Sequence, residues 1–399
     1  MRGKGEGAIL RVPADKTKPL KFWEARLELP SHDGTRRRKV IRRKNKTELV
    51  AELTRMRGDL EHRGDLPTST QSTEQWFAYW LETVVAKEVR PNTLDQYRRT
   101  IRNHVIPAIG KVKIDKLSPT HMRRVHETII EKGLSPTTAA LAHRTMSASF
   151  KIAVREGRIG RNPAELVNAP RKAKPKLEAL DLPEAVRMIE HSLTYPMGAR
   201  WATFLLTGAR RGEILGLEWD RVTDQLDLSW QLIRIKLTDT DGVPDVPADY
   251  EYRHLTGGLY LTRPKSDKGW RIIPLVDPLR AILERHRETS PPNPYGLVFA
   301  RPNGRPYAPD VESVAWRHAL TAAGIDKDVR LHDARHTTVD LLYEAGVPED
   351  IIGEIIGHSV RTTTRGYKTP QNRARLLAAM EQFSTQFTLP TTRTPEIGA

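Results

Sequence analysis

Short runs of alternating apolar and polar residues open the chain. Positions 8–12 and 22–29 carry the period-two pattern of strands. Asp33-Gly34 marks a hairpin turn, and a third strand is expected through the basic run that follows it. A helix is expected from 46 to 62, so residues 1–65 read as a small β-rich module of three strands plus a helix. The period then changes. After a polar stretch at 66–72 with Pro67, apolar residues recur at helical spacing only, over 73–170. Trp76, Phe77, Trp80 and Leu81 form a stripe expected to fill a core. Asn92 is expected to cap a helix reaching His104, with Asp95 at its third position. Ser118-Pro119 and Ser135-Pro136 each place a cap before a proline at the first helical position, and Gly133 and Gly157 stop those two helices.

From 178 to 388 helices and strands mix. Asp181-Leu182-Pro183-Glu184 is a capped helix start. Strands are expected at 226–235, 259–262, 270–275 and 297–300. Asp277-Pro278 opens a helix to about 287, and further helices are expected at 310–323, 332–345, 348–356 and 371–383. Residues 389–399 are a polar tail expected to be disordered. The pattern predicts a multidomain chain: a β-rich module, an all-α domain and a mixed α+β domain.

Charge adds a partner. The 399 residues hold 65 Lys and Arg against 49 Asp and Glu, a net of +16, which attracts a polyanion. Nucleic acid is the first candidate and an anionic membrane surface the lesser one. Residues 1–65 alone hold 18 basic and 10 acidic side chains, half the excess. Arg36, Arg37, Arg38, Lys39, Arg42, Arg43 and Lys44 are the candidate DNA contacts there; a solvated strand edge that discourages aggregation would need the same charges. Arg123, Arg124, Arg144 and Lys151 on outer helix faces are further candidates, with plain solvated charges as the competing reading. Lys172 and Lys174, in the proline-bounded basic linker 170–176, suit a strap across a duplex. The absence of cysteine excludes disulfides, thiol catalysis and thiolate zinc sites, and fits a reducing cytosol. No signal peptide and no apolar stretch of membrane-spanning length is expected.

Five separated pieces carry the reactive side chains: Thr207-Gly208-Ala209-Arg210-Arg211-Gly212-Glu213, Lys265, His332-Asp333-Ala334-Arg335, Gly357-His358 and Tyr367. Two guanidinium groups, an ammonium, two imidazoles and a phenol make a poor metal site, because hard cations prefer carboxylates. They suit a phosphodiester: arginine forks grip phosphate oxygens, and a tyrosine oxygen can attack phosphorus and hold a covalent intermediate.

The order and spacing of these pieces resemble the tyrosine recombinase family, the integrases of phages and mobile elements. The family's Thr-Gly-x-Arg-x-x-Glu turn corresponds to 207–213 and gives its first arginine role to Arg210. Its hairpin lysine, close before an Arg-x-Ile-Pro-Leu strand, corresponds to Lys265 before Arg271-Ile272-Ile273-Pro274-Leu275. The His-x-x-Arg box gives His332 and Arg335; the Leu-Gly-His-like box, Ile356-Gly357-His358, gives His358; and Tyr367 follows nine residues later. The likeness is specific in the catalytic part and architectural over 1–170. It implies an arm-type DNA-binding module, a SAM-like core-binding domain and a catalytic domain. It also implies a site-specific recombinase that integrates and excises a phage or integrative element through a 3′-phosphotyrosine, without cofactor. The implied partners are double-stranded attachment sites, three further copies in a tetramer on DNA, a host DNA-bending protein and a directionality factor. The implied location is the bacterial cytoplasm, on the nucleoid, and residues 371–388 are the candidate segment for passage to a neighbouring subunit.

In such a site Arg210 and Arg335 clamp the phosphate, Tyr367 attacks, Lys265 protonates the leaving 5′-oxygen, His332 takes the phenol proton and His358 hydrogen-bonds the phosphate. Each residue has a competing reading. Arg210 or Arg211 suits a surface pair with Glu213 or Glu218, and Glu213 suits an orienting partner. Lys268 can replace Lys265. His332 and His336 have zinc-helix spacing, but Asp333 stands where that motif needs Glu. Tyr343 is the rival nucleophile, read as a helix face packing into the core. Residues 238–258 form an acidic insertion before the lysine, read as a polar loop that avoids DNA. Two alternatives remain: a type IB topoisomerase, which would relax any plasmid, and a non-catalytic DNA-binding regulator, which has no use for Tyr367.

Overall fold

The computed structural model describes residues 9–30, 37–63, 71–172, 178–195, 197–235, 246–264, 270–357 and 370–387. The chain divides into two compact units, 1–174 and 175–399. In the first, strands β1 (Ile9–Val12), β2 (Phe22–Leu29) and β3 (Arg37–Arg43) form an antiparallel sheet in the order β1-β2-β3. One face is apolar because Ala25, Leu27 and Ile41 point the same way. Leu49 and Leu53 of helix α1 (Lys46–Arg63) close over it. On the other face the register sets Arg42 opposite Glu24 and Arg38 opposite Glu28.

The helical segment holds α2 (Thr73–Tyr79), α3 (Pro91–Thr100), α4 (Ile106–Ile109), α5 (Pro119–Glu131) and α6 (Pro136–Arg155). Trp76, Phe77 and Trp80 are buried, with Leu81 against them, and the Trp76 indole donates to Ser149 Oγ at 2.8 Å. Ser118 and Ser135 cap α5 and α6, and Gly133 and Gly157 take positive φ just past their ends. One expected cap is displaced. Arg90, not Asn92, is the N-cap of α3, because Pro91 takes the first helical position with its fixed φ. The helix also passes into a π-helical turn at Ile101–Val105 instead of running regularly to His104.

The second unit contains α7 (Leu182–Thr194), α8 (Ala199–Thr207), α9 (Arg211–Leu215), β4 (Gln225–Asp227), β5 (Gln231–Arg234), β6 (Tyr252–Thr256), β7 (Leu259–Thr262), β8 (Ile272–Pro274), α10 (Leu279–Thr289), α11 (Pro309–Ala322), α12 (Ala334–Glu344), α13 (Glu349–Ile356) and α14 (Pro370–Ser384). Asp181 and Glu184 form the expected capping box of α7. Strands pair as β4-β8 and as β5-β7-β6, all antiparallel. The expected strand 226–235 is cut in two where Asp227 Oδ1 accepts from Ser229 N at 2.9 Å and turns the backbone. Residues 297–300 are fully buried yet make only isolated bridges. Their polar groups go to separate partners: Val298 N to Leu217 O, and Val298 O to His286. The insertion 238–258 is not wholly loop: it contributes β6. The expected helix after Asp277 starts one residue later than its proline, with Pro278 at the N-cap.

Helices α7, α8, α10, α11, α12 and α13 enclose one core, around Trp201, Leu205, Phe299 and Trp316. Leu376, Ala379, Met380 and Phe383 of α14 are buried in that same core, so in this single chain α14 packs on its own domain. Arg200 is buried beside Glu312 (2.8 Å) between the rings of Trp201 and Tyr307, at 4.2 and 4.6 Å. No helix of the described residues is long and apolar enough to cross a membrane.

Candidate active site

Helix α8 ends at Gly208, whose φ of 56° is left-handed; a Cβ there would run into the side chains of Ile356 and Thr338. That turn sets Arg210 at the N-cap of α9. Its backbone N–H donates to Glu213 Oε2 at 2.8 Å and its Nη1 to Oε1 at 2.6 Å, while Nη2 reaches the Gly357 carbonyl at 3.1 Å. Glu213 is buried, and Arg210 keeps 37% of its side chain exposed. The ion pair and a role at a ligand are therefore compatible: Glu213 holds one edge of the guanidinium and leaves another to solvent. Arg211 goes elsewhere and donates to Ser313 Oγ at 2.9 Å.

Arg335, in the first turn of α12, is buried. Its Nη1 donates to the Gly208 carbonyl at 2.7 Å and its Nη2 to the carbonyl of Ile356. Arg271 donates to that same carbonyl and, with its other nitrogen, to Glu213 Oε2. Arg210 and Arg271 thus share one carboxylate, and all three guanidinium groups converge on the carbonyls of Ile356 and Gly357 at the end of α13, where a helix dipole ends negative. Burial, then the charges of Arg271 and Arg210, press Arg335 down to about 9 against the pull of Glu213, so it still carries its charge at neutral pH.

His332, the expected start of this helix, sits just before α12, which begins at Ala334, and its side chain is exposed. It titrates below the ordinary imidazole value, first through partial desolvation and then through Arg335, His336 and Arg210; Asp333 opposes them. At neutral pH the ring is therefore neutral, with a lone pair to take a proton. Asp333 is buried and accepts from Arg330 Nε at 2.9 Å.

The structure brings together Arg210, Arg335 and His332. Lys265, Lys268, His358 and Tyr367 lie outside the described residues, as do Arg36, Lys174 and the turn at Asp33-Gly34. Tyr343 departs from its expected core position: it is 50% exposed, and Leu342 fills the core instead. Arg38 and Arg42 pair with Glu28 and Glu24, Arg43 with Glu52, and Arg42 stacks on Phe22 at 5.1 Å. Lys39, Lys44, Arg123, Arg124 and Lys172 are exposed.

Arg271 was legible only as part of a motif. Its signal was phase: it shares parity with the buried Ile273 and Leu275, while Ile272 between them is exposed. An arginine on the inward side of a strand needs a buried partner, and that partner is Glu213.

Comparison with known proteins gives this geometry its family. Residues 73–129 match the phage integrase N-terminal SAM-like domain, and residues 179–373 match the phage integrase family. The chain is 28% identical over 397 residues to an integrase of Saccharopolyspora erythraea, covering 87% of this chain and 90% of that one. It is 25% identical over 303 residues to a XerC-like tyrosine recombinase of Caldanaerobacter subterraneus, covering 70% and 74%. Among solved structures it resembles the Tn1549 transposon integrase in complex with a circular intermediate DNA (TM-score 0.61, 21% identity, 78% and 99% covered). It also resembles a lambda integrase tetramer bound to a Holliday junction (TM-score 0.54, 14% identity, 86% and 94% covered). The chain belongs to the phage integrase family of tyrosine recombinases, enzymes that cleave and religate DNA.

Proposed function

We propose that the chain is the integrase of a phage or integrative element, acting on duplex attachment sites with Tyr367 as nucleophile and Arg210, Lys265, His332, Arg335 and His358 as its catalytic partners. The convergence of Arg210 with His332 and Arg335 from two distant segments, with Gly357 of a third (the residue before His358) bonded to Arg210, carries this reading. A phosphodiester undergoing displacement gains charge on its non-bridging oxygens. Cations fixed in advance at that place are the largest catalytic term available; losing one such donor costs on the order of a hundredfold or more.

In this reading Tyr367 Oη forms a bond to phosphorus as the bond from phosphorus to the 5′-oxygen breaks. The phenol proton passes to neutral His332, and Lys265 gives a proton to the departing 5′-oxygen. The phosphotyrosine retains the bond energy, so a second 5′-hydroxyl reverses the step without ATP or metal. Tyr343 fits this poorly. It lies eight residues beyond Arg335 on the same helix, about 12 Å along the axis.

The β-rich module is assigned to arm-type sites and the helical segment to the core site, through the exposed Arg123 and Arg124. The lambda relative forms a tetramer on a Holliday junction; the same assembly is proposed here, in the cytoplasm, with a host DNA-bending protein and a directionality factor as accessory partners. The test is a nicked suicide duplex carrying the candidate attachment site, run on a denaturing gel. Wild type should yield a covalent adduct that Tyr367→Phe abolishes and Tyr343→Phe retains. An adduct that persists in Tyr367→Phe overturns the assignment; none with wild type favours a regulator, and site-independent plasmid relaxation favours a topoisomerase.

A further inference from the structure

Residues 264–269 connect β7 to Trp270 and carry both Lys265 and Lys268. The residues that flank them, Arg263 and Trp270, touch. The Arg263 guanidinium lies between two indoles, 4.5 Å from the Trp230 ring centre and 4.4 Å from that of Trp270. Its Nη1 donates to Ser229 Oγ at 2.6 Å and its Nε to Glu251 Oε2 at 3.3 Å, while its backbone N–H reaches the Glu251 carbonyl at 3.2 Å. On the other side, the carbonyl of Arg271 accepts from Leu228 N at 2.9 Å, and the Arg271 side chain is fixed by Glu213 and Ile356. Arg263 before the lysine connection and Arg271 after it therefore both contact residues 228–230, the short link between β4 and β5.

A phosphate contact is a poor account of Arg263. The guanidinium lies against two aromatic rings, and only 26% of the side chain is exposed. The insertion explains part of this closure. Glu251 belongs to it, and Arg253 of β6 pairs with the nearly buried Glu218, which also pairs with Arg221. The acidic segment that looked like a loop avoiding DNA is thus a buttress under the base of the lysine connection. Since β7 and β8 belong to different sheets, no ladder hydrogen bonds run between them to hold this connection.

The geometry points to Arg263 and Trp270, clasped with Trp230, as positioning residues for the general acid of DNA cleavage. This deepens the reading above and rests on a lysine of 264–269 being that acid. The clasp acts by fixing both ends of the segment that delivers the ammonium to the 5′-oxygen.

The test separates acid placement from general integrity. Adduct formation is timed on the attachment-site duplex and on a matched duplex with sulfur in place of the bridging 5′-oxygen. A thiolate, with a thiol pKa of about 8.5, leaves without a proton, so the bond from phosphorus to sulfur breaks without the lysine. General acids contribute about a hundredfold or more, so loosening this one in Trp270→Ala should slow the oxygen duplex about tenfold. The sulfur duplex should react at the wild-type rate, which also shows that the variant is folded, and Trp270→Phe should keep both rates. Equal loss on both duplexes, or no loss on either, overturns the clasp. Lys265→Ala and Lys268→Ala are run beside it: rescue of either by sulfur places the acid on this segment, whereas slowing of both without rescue overturns the acid assignment and the clasp with it.

Discussion

Arg210 and Arg271 take the two oxygens of one carboxylate, Oε1 and Oε2 of Glu213. One arginine is part-exposed and faces the proposed phosphate; the other is 1% exposed and reaches the end of α13. Glu213 therefore links the turn after α8 to the helix that precedes His358. Glu213→Ala leaves a buried guanidinium without its counter-charge, which costs about 3–5 kcal/mol. Chemical denaturation should show that loss and the adduct assay a loss of cleavage; a variant of wild-type stability would show that the carboxylate holds nothing.

Gly208 combines strain and collision. Gly208→Ala forces a Cβ into the left-handed region and against Ile356, and displaces the carbonyl that receives Arg335. About 1–3 kcal/mol of destabilisation is expected from such a site, with slowed adduct formation. Gly324→Ala is the control, since its φ is also positive (70°) but its Cβ would meet open space. Thermal melts of the two variants should differ, and equal shifts would remove the collision from the account.

The proposed base sets a pH limit. His332 has a lowered pKa, so it is neutral and competent at pH 7 and becomes protonated only below the ordinary imidazole value of about 6.5. Cleavage should fall as pH drops through the folded-state value, and hold as pH rises from there to neutrality. The pH–rate profile of adduct formation reads this directly, and His332→Asn should lower the rate and remove the acid limb. An acid limb that persists in His332→Asn would assign it to another group.

On β3, Lys39 lies opposite Leu27 on the side of the sheet that α1 covers, yet it is exposed and has no acid as its cross-strand partner, whereas Arg38 faces Glu28 on the other side. Lys39→Ala should weaken DNA binding uniformly across sequences and lower the salt slope by about one. Glu28→Ala removes an anion from the opposite face, where it pairs with Arg38, and should strengthen binding if that face meets DNA. Fluorescence anisotropy over a salt series measures both, and unchanged slopes would place the polyanion elsewhere.

Local signals were readable in the sequence because they are short-range chemistry. Ser118, Ser135 and Asp181 cap their helices as expected, and the aromatic stripe at 76–80 fills its core. The Arg210 turn and the His332–Arg335 box were also visible, since each lies within a few residues. What escaped was non-local. Arg200 and Glu312 pair across 112 positions, Arg271 meets Glu213 across 58, and β6 is defined by a partner strand that the insertion's polarity concealed. Tyr343 was misassigned because helical spacing places a residue on a face without saying whether a neighbouring element covers it.

The arginine cluster at the end of α13 has one more consequence. Gly357 is bonded there, and the chain is fixed again within α14, where Asn372 donates to Glu354 Oε2 at 2.6 Å and Leu376 enters the core. The phenol at position 367 thus sits on a twelve-residue span (358–369) whose two ends are tied to one domain. Ten residues from Gly357 reach at most about 35 Å. With Tyr367 as the proposed nucleophile, span length and not protein dilution would set its effective concentration at the guanidinium groups, so lengthening or shortening the stretch between His358 and Tyr367 would retune cleavage while leaving Arg210, His332 and Arg335 in place.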